Sequence, residues 1–432
     1  MNESISWILL FYILISMGCG EPTQEHKIEK LIQKLGVKDP SVRHISVSEL
    51  GSIGSTDVVP ALIQALQDQD AKVRDSATEA LEKIGKDAVP ALIQALQDQD
   101  AKVRDSAAET LEKIGKDAVP ALIQALRDQD AKVRDSATET LEKIGKDAVP
   151  ALIQALQDQD AKVRVSVALV LGEIGLVDAV PALIQALQDQ DAKVRVSVAL
   201  ALGKIGSADA VSTLIQALRD PDAKVRRRVA LALGEIGSVD AVPALIQALQ
   251  DQDVRRRVAL ALGEIGSVDA VPALIQALQD QDVRVRVSVI EGLEGIGIDA
   301  VPALIQASRD NNEYIRGGAV EALKRIGIGA VSALILALQD ENTDVRVRAA
   351  ETLKRIGTGA VPALIQALQD KKTNVRVSAA FVLEKIGKDA VPALIQALQN
   401  EDWNIRYFAI EVLERIGTPE ALKAVEKYQS RQ

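Results

Sequence analysis

From Asp87 to Lys116, the apolar positions Val89, Leu92, Ile93 and Leu96 recur at helical spacing and stop at Asp98-Gln99-Asp100. A second face then resumes with Val103, Ala107, Thr110, Leu111 and Ile114. The pattern predicts a helical hairpin of roughly ten and fourteen residues. Asp87 is placed to cap its first helix and Pro90 falls in that helix's first turn, where the missing N–H costs nothing. Asp100 is placed to cap the second helix and Gly115 to end it in a left-handed conformation. Isolated helices shorter than about 12–15 residues are marginal in water. The hairpin therefore requires another layer against its apolar face, and near copies of it recur at a period of about 30 residues along most of the chain.

Twelve clear copies fill residues 55–417, anchored at Pro60, Pro90, Pro120, Pro150, Pro181, Ser212, Pro243, Pro272, Pro302, Ser332, Pro362 and Pro392. Residues 27–54 read as a degenerate first hairpin that caps one end, and 418–432 as a closing helix at the other. The expected fold is all-α, a solenoid of about thirteen stacked hairpins. Residues 57–146 are nearly identical copies, 147–298 differ on the outer face of the second helix, and 299–417 diverge further. The copy beginning at Asp240 has a turn two residues shorter, Asp251-Gln252-Asp253-Val254-Arg255, which predicts a local change of curvature.

The V-P-A-L-I-x-A-L first helix, the D-x-x-V-R start of the second and the terminal I-G resemble the HEAT-like repeats of phycobilin lyases and of many bacterial scaffold proteins. The resemblance covers nearly everything after residue 26. It implies an α-superhelix and leaves function open, since such repeats serve lyases, hydroxylases, DNA glycosylases and binding scaffolds.

Composition narrows these choices. The chain is 47% hydrophobic but only 2% aromatic, so its core must be aliphatic. A net charge of −10 argues against a general nucleic-acid binder, whose affinity rests on phosphate neutralisation. Only His26 and His44 are present, with one cysteine, Cys19. The paired His-Glu motifs of a deoxyhypusine-hydroxylase-like di-iron site are missing, zinc lacks ligands, no Ser/His/Asp or Cys/His set can be assembled, and every I-G is a helix terminator rather than a phosphate loop. The reading is a non-enzymatic protein-binding scaffold with no cofactor, no metal and no nucleic-acid partner. The alternative is a phycobilin-lyase-like or chaperone-like factor that holds a chromophore or client subunit.

The turns repeat D-x-D, as in Asp68/Asp70 and Asp158/Asp160. Carboxylate pairs of this kind suit calcium, but calcium needs six or more oxygens, and Lys372 stands at the second position of a late copy. The favoured reading is structural: the second Asp caps a helix and the first pairs with the Arg of its copy. Asp68 with Arg74, Asp98 with Arg104, Asp128 with Arg134 and Asp158 with Arg164 then build a ladder between neighbours.

On the second helix, the positions of Asp105, Ala108, Glu109 and Glu112 are expected to face away from the core, on the concave side. In the middle copies these positions hold Val165, Ala168, Leu169 and Gly172, then Val196, Ala199, Leu200 and Gly203. Arg227, Ala230, Leu231 and Gly234 follow, then Arg256, Ala259, Leu260 and Gly263. The leucine row with its flanking valines and arginines reads either as a groove for a protein segment or as tighter helix packing permitted by the glycines. The late aromatics Tyr314, Phe381, Trp403, Tyr407, Phe408 and Tyr428 read chiefly as bulk that covers the end layer, with a partner hot spot as the alternative.

At the N-terminus, Ile5–Ile15 is apolar apart from Ser6, too short to span a bilayer, and is followed by Ser16-Met17-Gly18-Cys19. Residues 1–19 resemble a lipoprotein signal in which Cys19 is lipidated and begins the mature chain, with 20–26 as a linker. They depart from that pattern in lacking an early Lys or Arg and in placing Ser16 three before the cysteine. An ordinary signal peptide or anchor, or a frayed apolar helix with an incidental cysteine, is the competing reading. The expected location is outside the cytoplasm, on a membrane by its N-terminal lipid. Cys19→Ala should move the protein from the membrane fraction to the soluble one, and unchanged fractionation would refute lipidation.

Overall fold

The computed structural model describes residues 23–308, 310–340 and 343–431. Residues 1–19, with Cys19 and its expected lipidation, lie outside them. The chain divides into two compact units, residues 1–201 and 202–432, each a stack of helical hairpins. Among the described residues, thirteen hairpins run from Gln24–Lys34 with Pro40–Ile53 to Val391–Ala397 with Trp403–Ile416, followed by the helix Pro419–Gln429. Among the described residues, no helix is long and apolar enough to cross a membrane.

A representative copy shows why these residues fold this way. The first helix, Val89–Ala95, is shorter than expected because a 3-10 turn, Gly85–Ala88, precedes it. Asp87 lies inside that turn, so the expected cap falls instead on Ala88, which has no side-chain bond to offer. The second helix, Ala101–Ile114, is capped as expected, with Asp100 accepting from the Lys102 amide at 2.9 Å. Val89, Leu92, Leu96, Val103, Ala107 and Leu111 are buried, whereas Ile93 and Ile114 are only half covered. Thr110 is fully buried and satisfies its hydroxyl on the Ser106 carbonyl at 2.7 Å.

Outside the shortened turn, whose Arg255 meets Asp280 instead, one arginine fastens the turn to the helix that follows. Arg104 Nη1 donates to the carbonyls of Asp98 and Gln99 at 2.7 and 3.1 Å. The same two-carbonyl grip recurs at Arg43, Arg74, Arg134, Arg164, Arg286 and Arg406, among others. In the shortened turn the second helix begins only at Arg255, and Val254 precedes it without a side-chain cap.

The connection to the next copy has two main forms, apart from Gly327, which leads straight into the helix Ile328–Ala337. In the regular copies the closing glycine itself opens the 3-10 turn, as at Gly85 (φ 68°, ψ −133°). After Gly54, Gly175, Gly237 and Gly266, one extra residue intervenes. The glycine then takes the left-handed helical conformation (φ 73°, ψ 16° at Gly175), and the extra residue is extended.

In these same middle copies the second helices pack closely. A Cβ on Gly172 would lie 2.7 Å from Ala201 Cα, and within residues 202–432 one on Gly263 would lie 2.5 Å from Gly292 Cα. Ala168, Ala199, Ala230 and Ala259, expected to face outward, are fully buried. Close approach places them under the neighbouring helix, whereas the equivalent Ala108 is only half covered. Gly263→Ala should therefore lower stability by roughly 1–3 kcal/mol through overpacking. Urea unfolding would check this, with Gly317→Ala, whose Cβ meets nothing within 4 Å, costing little or nothing.

Candidate functional site

Three surface features descend from the repeat: a set of ion pairs across the turns, the middle leucine row, and an exposed apolar stripe on late second helices.

In the ion pairs, Arg74, Arg104, Arg134 and Arg164 each take the backbone carbonyl of their own copy's first aspartate rather than the carboxylate. The expected within-copy pairing is thus replaced by a pairing between copies. Arg43 grips Asp68 bidentately at 2.6 and 2.7 Å, and Arg164 grips Asp189 at 2.7 and 2.8 Å. Arg226 Nε meets Asp251 and Arg255 Nη1 meets Asp280, both at 2.7 Å. Each of these four pairs spans 25 residues. In the regular block Arg74, Arg104 and Arg134 stand 24 residues before Asp98, Asp128 and Asp158, and no such pair forms there. Those carboxylates instead meet Gln67, Gln97 and Arg127. The extra residue of the longer connection accompanies the change of partner.

Arg43, Arg164 and Arg226 hold Asp68, Asp189 and Asp251 acidic. For Asp68 the Arg43 hydrogen bond is the largest cause, and its pKa lies below the ordinary carboxylate value. For Asp189 and Asp251 burial pushes upward, but the arginine and a backbone amide outweigh it, and both end lowered. No group of three or more His, Cys, Asp or Glu among the described residues is arranged to hold a metal. Asp98 and Asp100 each spend one oxygen on a backbone amide of their own turn. His44 Nδ1 sits 2.7 Å from Ser76 Oγ.

The leucine row is neither open nor sealed. Leu169 and Leu200 in one unit, and Leu231 and Leu260 in the other, are half-buried, as are Val165 and Val196. Arg227 and Arg256 remain exposed, while Arg228 forks onto Glu235 at 2.6 and 2.7 Å. The carboxylates of Glu235 and Glu264 lie where side chains on Gly203 and Gly234 would be. Burial, with Glu235 adding to it and Arg228 opposing, raises the Glu264 pKa.

The stripe lies further on. The residue after each turn arginine is Asp75, Asp105 and Asp135 in the regular copies but Val347, Val377 and Tyr407 in late ones. These three are exposed, together with Phe381 and Trp403. Trp403 is 62% exposed and stacks on Tyr407, with ring centroids 5.1 Å apart. Arg415 reaches back to Glu384 at 3.4 Å, joining the last two second helices. The expectation that the late aromatics cover the end layer fails for Phe381, Trp403 and Tyr407. The helix Pro419–Gln429 lies beyond that hairpin and buries Ala421 and Val425. Tyr314 covers the guanidinium of Arg286 at 4.3 Å. The aspartate-to-valine change after the turn arginine was the signal in the sequence for this stripe.

The sequence profile of HEAT repeats matches successive overlapping stretches from 28–112 to 361–430, and the chain belongs to the HEAT-repeat family. Kap121p, solved alone and bound to Nup53p, is 15% identical, with a TM-score of 0.46 over 94% of this chain. This chain spans 58% of the Kap121p length. The complex of CpcE and CpcF of phycocyanin lyase from Nostoc sp. PCC7120 is 25% identical, with a TM-score of 0.34 over 55% of this chain and 94% of that one. No curated protein matches.

A double-mutant cycle of Arg164→Met with Asp189→Asn should give a coupling of roughly 1–3 kcal/mol, against near zero for Arg104→Met with Asp128→Asn. Lowered folded-state pKa values stabilise above the unfolded value, about 3.9 for Asp, and that contribution is lost as pH falls through the folded values. The melting-temperature advantage of the parent over Asp68→Asn/Asp189→Asn/Asp251→Asn should therefore be full at neutral pH and shrink once the pH drops below the ordinary carboxylate range.

Proposed function

We propose that this protein is a non-enzymatic scaffold that binds a protein partner on the second-helix face of its C-terminal unit. The observation that carries the reading is the exposed stripe Val347, Val377, Phe381, Trp403 and Tyr407. Large aromatic side chains left in water on a rigid helix are the groups whose burial dominates protein interfaces, and Trp and Tyr are enriched among hot spots. Neighbouring copies keep the same backbone without them, so the fold does not require apolar groups at these positions. Charged groups rim the stripe, with Glu384, Lys385, Glu411 and Arg415 on one side and Glu401 and Asp402 on the other. That arrangement of an apolar centre inside a polar edge suits a reversible interface. The middle leucine row contributes less to this reading, because its side chains are already half covered by neighbours.

A photo-crosslinking residue at Tyr407, with an equal one at Gln94 on a first helix as control, tests the proposal in cells. A discrete protein adduct from position 407 that is absent at 94 is expected, and Trp403→Ala should abolish it. The same variant should leave the melting temperature nearly unchanged, since its side chain is mostly in solvent. Identical adducts from both positions, or none from 407, would refute the reading.

A further inference from the structure

The connections between copies present a second surface, independent of the second-helix stripe. Each displays one residue just before the aspartate or glycine of its turn. In the regular copies that residue is Lys86, Lys116 or Lys146, next to Asp87, Asp117 or Asp147, so this edge is charge-balanced. Within residues 202–432 four successive copies hold Val239, Val268, Ile298 and Ile328 at this position, which are 52–72% exposed, between copies that hold Ala208 and Thr358. The first three sit beside Asp240, Asp269 and Asp299, which are exposed and whose carboxylates have no hydrogen-bond or ion-pair partner among the described residues. Lysine returns at Lys388, before Asp389.

This exposure is not a frayed loop. Ala241, Ala270, Ala300 and Ala330, two residues beyond each apolar side chain, are fully buried; the first three pin 3-10 turns and the last pins the start of the helix Ile328–Ala337. The Ile328 side chain leans over Gly359 of the next copy. The edge is thus a row of fixed apolar side chains, three of them with an unpaired carboxylate alongside.

We propose that this edge docks a basic amphipathic helix. Packed helical layers are spaced at about 8–10 Å. Seven residues of α-helix rise about 10.5 Å, so apolar residues at i, i+7 and i+14 come into step with successive Val/Ile positions. Lysines or arginines beside them then meet Asp240, Asp269 and Asp299. An added strand fits poorly, because turn amides such as those of Ala241 and Ala270 are already bonded to Ser238 and Ser267. The carboxylate row repels an anionic lipid surface.

The probe is a fluorescent synthetic helix of about three heptads with one Leu per heptad flanked by Lys, titrated with the full chain by anisotropy. Saturable binding that weakens with added salt is expected. Val239→Lys/Val268→Lys/Ile298→Lys restores the residue type of the regular copies, so it should melt like the parent while weakening binding at least about tenfold, or 1.4 kcal/mol. Asp240→Asn/Asp269→Asn/Asp299→Asn should weaken it severalfold and flatten the salt dependence. Trp403→Ala/Tyr407→Ala should bind the probe unchanged, which separates this edge from the second-helix stripe. The proposal fails if no saturable binding occurs, if a Glu-for-Lys peptide binds equally, if the lysine variant binds like the parent, or if anionic vesicles or a second copy of the chain occupy the edge in place of the peptide.

Discussion

The grip of one arginine on two turn carbonyls is the interaction on which the rest depends. Seven-residue first helices cannot hold an angle by themselves. Arg104, reaching back to Asp98 and Gln99, ties the start of each fourteen-residue helix to the turn before it. A charged hydrogen bond of this kind is worth roughly 1.5–3 kcal/mol. It is repeated in copy after copy, and it persists where Lys372 replaces the second aspartate, at Arg376, and where Asn400 replaces the first, at Arg406. The hairpin is therefore a preset unit, and variation elsewhere acts on how units meet.

Two small changes govern that meeting. One added residue in the connection accompanies a closing glycine of left-handed helical geometry and the arginine–aspartate pair between copies. A glycine at position 172, 203, 234 or 263 replaces the bulk that holds second helices apart, and the helices close until alanines are sealed between them. Grooves open on the other side of the same copies. One of about 780 Å³ lies between the first helices around Ile153 and Gln185. A second, of about 450 Å³, lies in the other unit around Ile215 and Gln247. The valine column shows the consequence for exposure. Val165 and Val196 are half-buried where helices crowd, while Val347 and Val377 are exposed where they do not.

Much of this was legible in the sequence. The period, the buried Val, Leu and Ala faces, the Asp100 type of cap and the positive-φ glycines all follow from local spacing and backbone preference. The Asp87 cap was misread because the 3-10 turn before the first helix leaves no trace in apolar periodicity. The ladder partners are not legible locally: closeness in sequence suggests a side-chain pair of Asp98 with Arg104, whereas the arginine is spent on the turn's backbone carbonyls. The leucine row stands out in the sequence because four leucines replace glutamates, whereas Val347 and Val377 do not, because each copy there differs from the next, and the spacing of the aromatics leaves end cover and exposed hot spot both open.

The sequence by itself determined the repeat, its helical class and the aliphatic core, because those depend on contacts that recur identically in every layer. Exposure was decided only in the tertiary structure. Whether a valine after the turn arginine is covered, or an aspartate meets an arginine 25 residues before it, depends on how close the neighbouring helix comes. That distance is set by glycines and connection lengths acting between copies, so no single copy contains it.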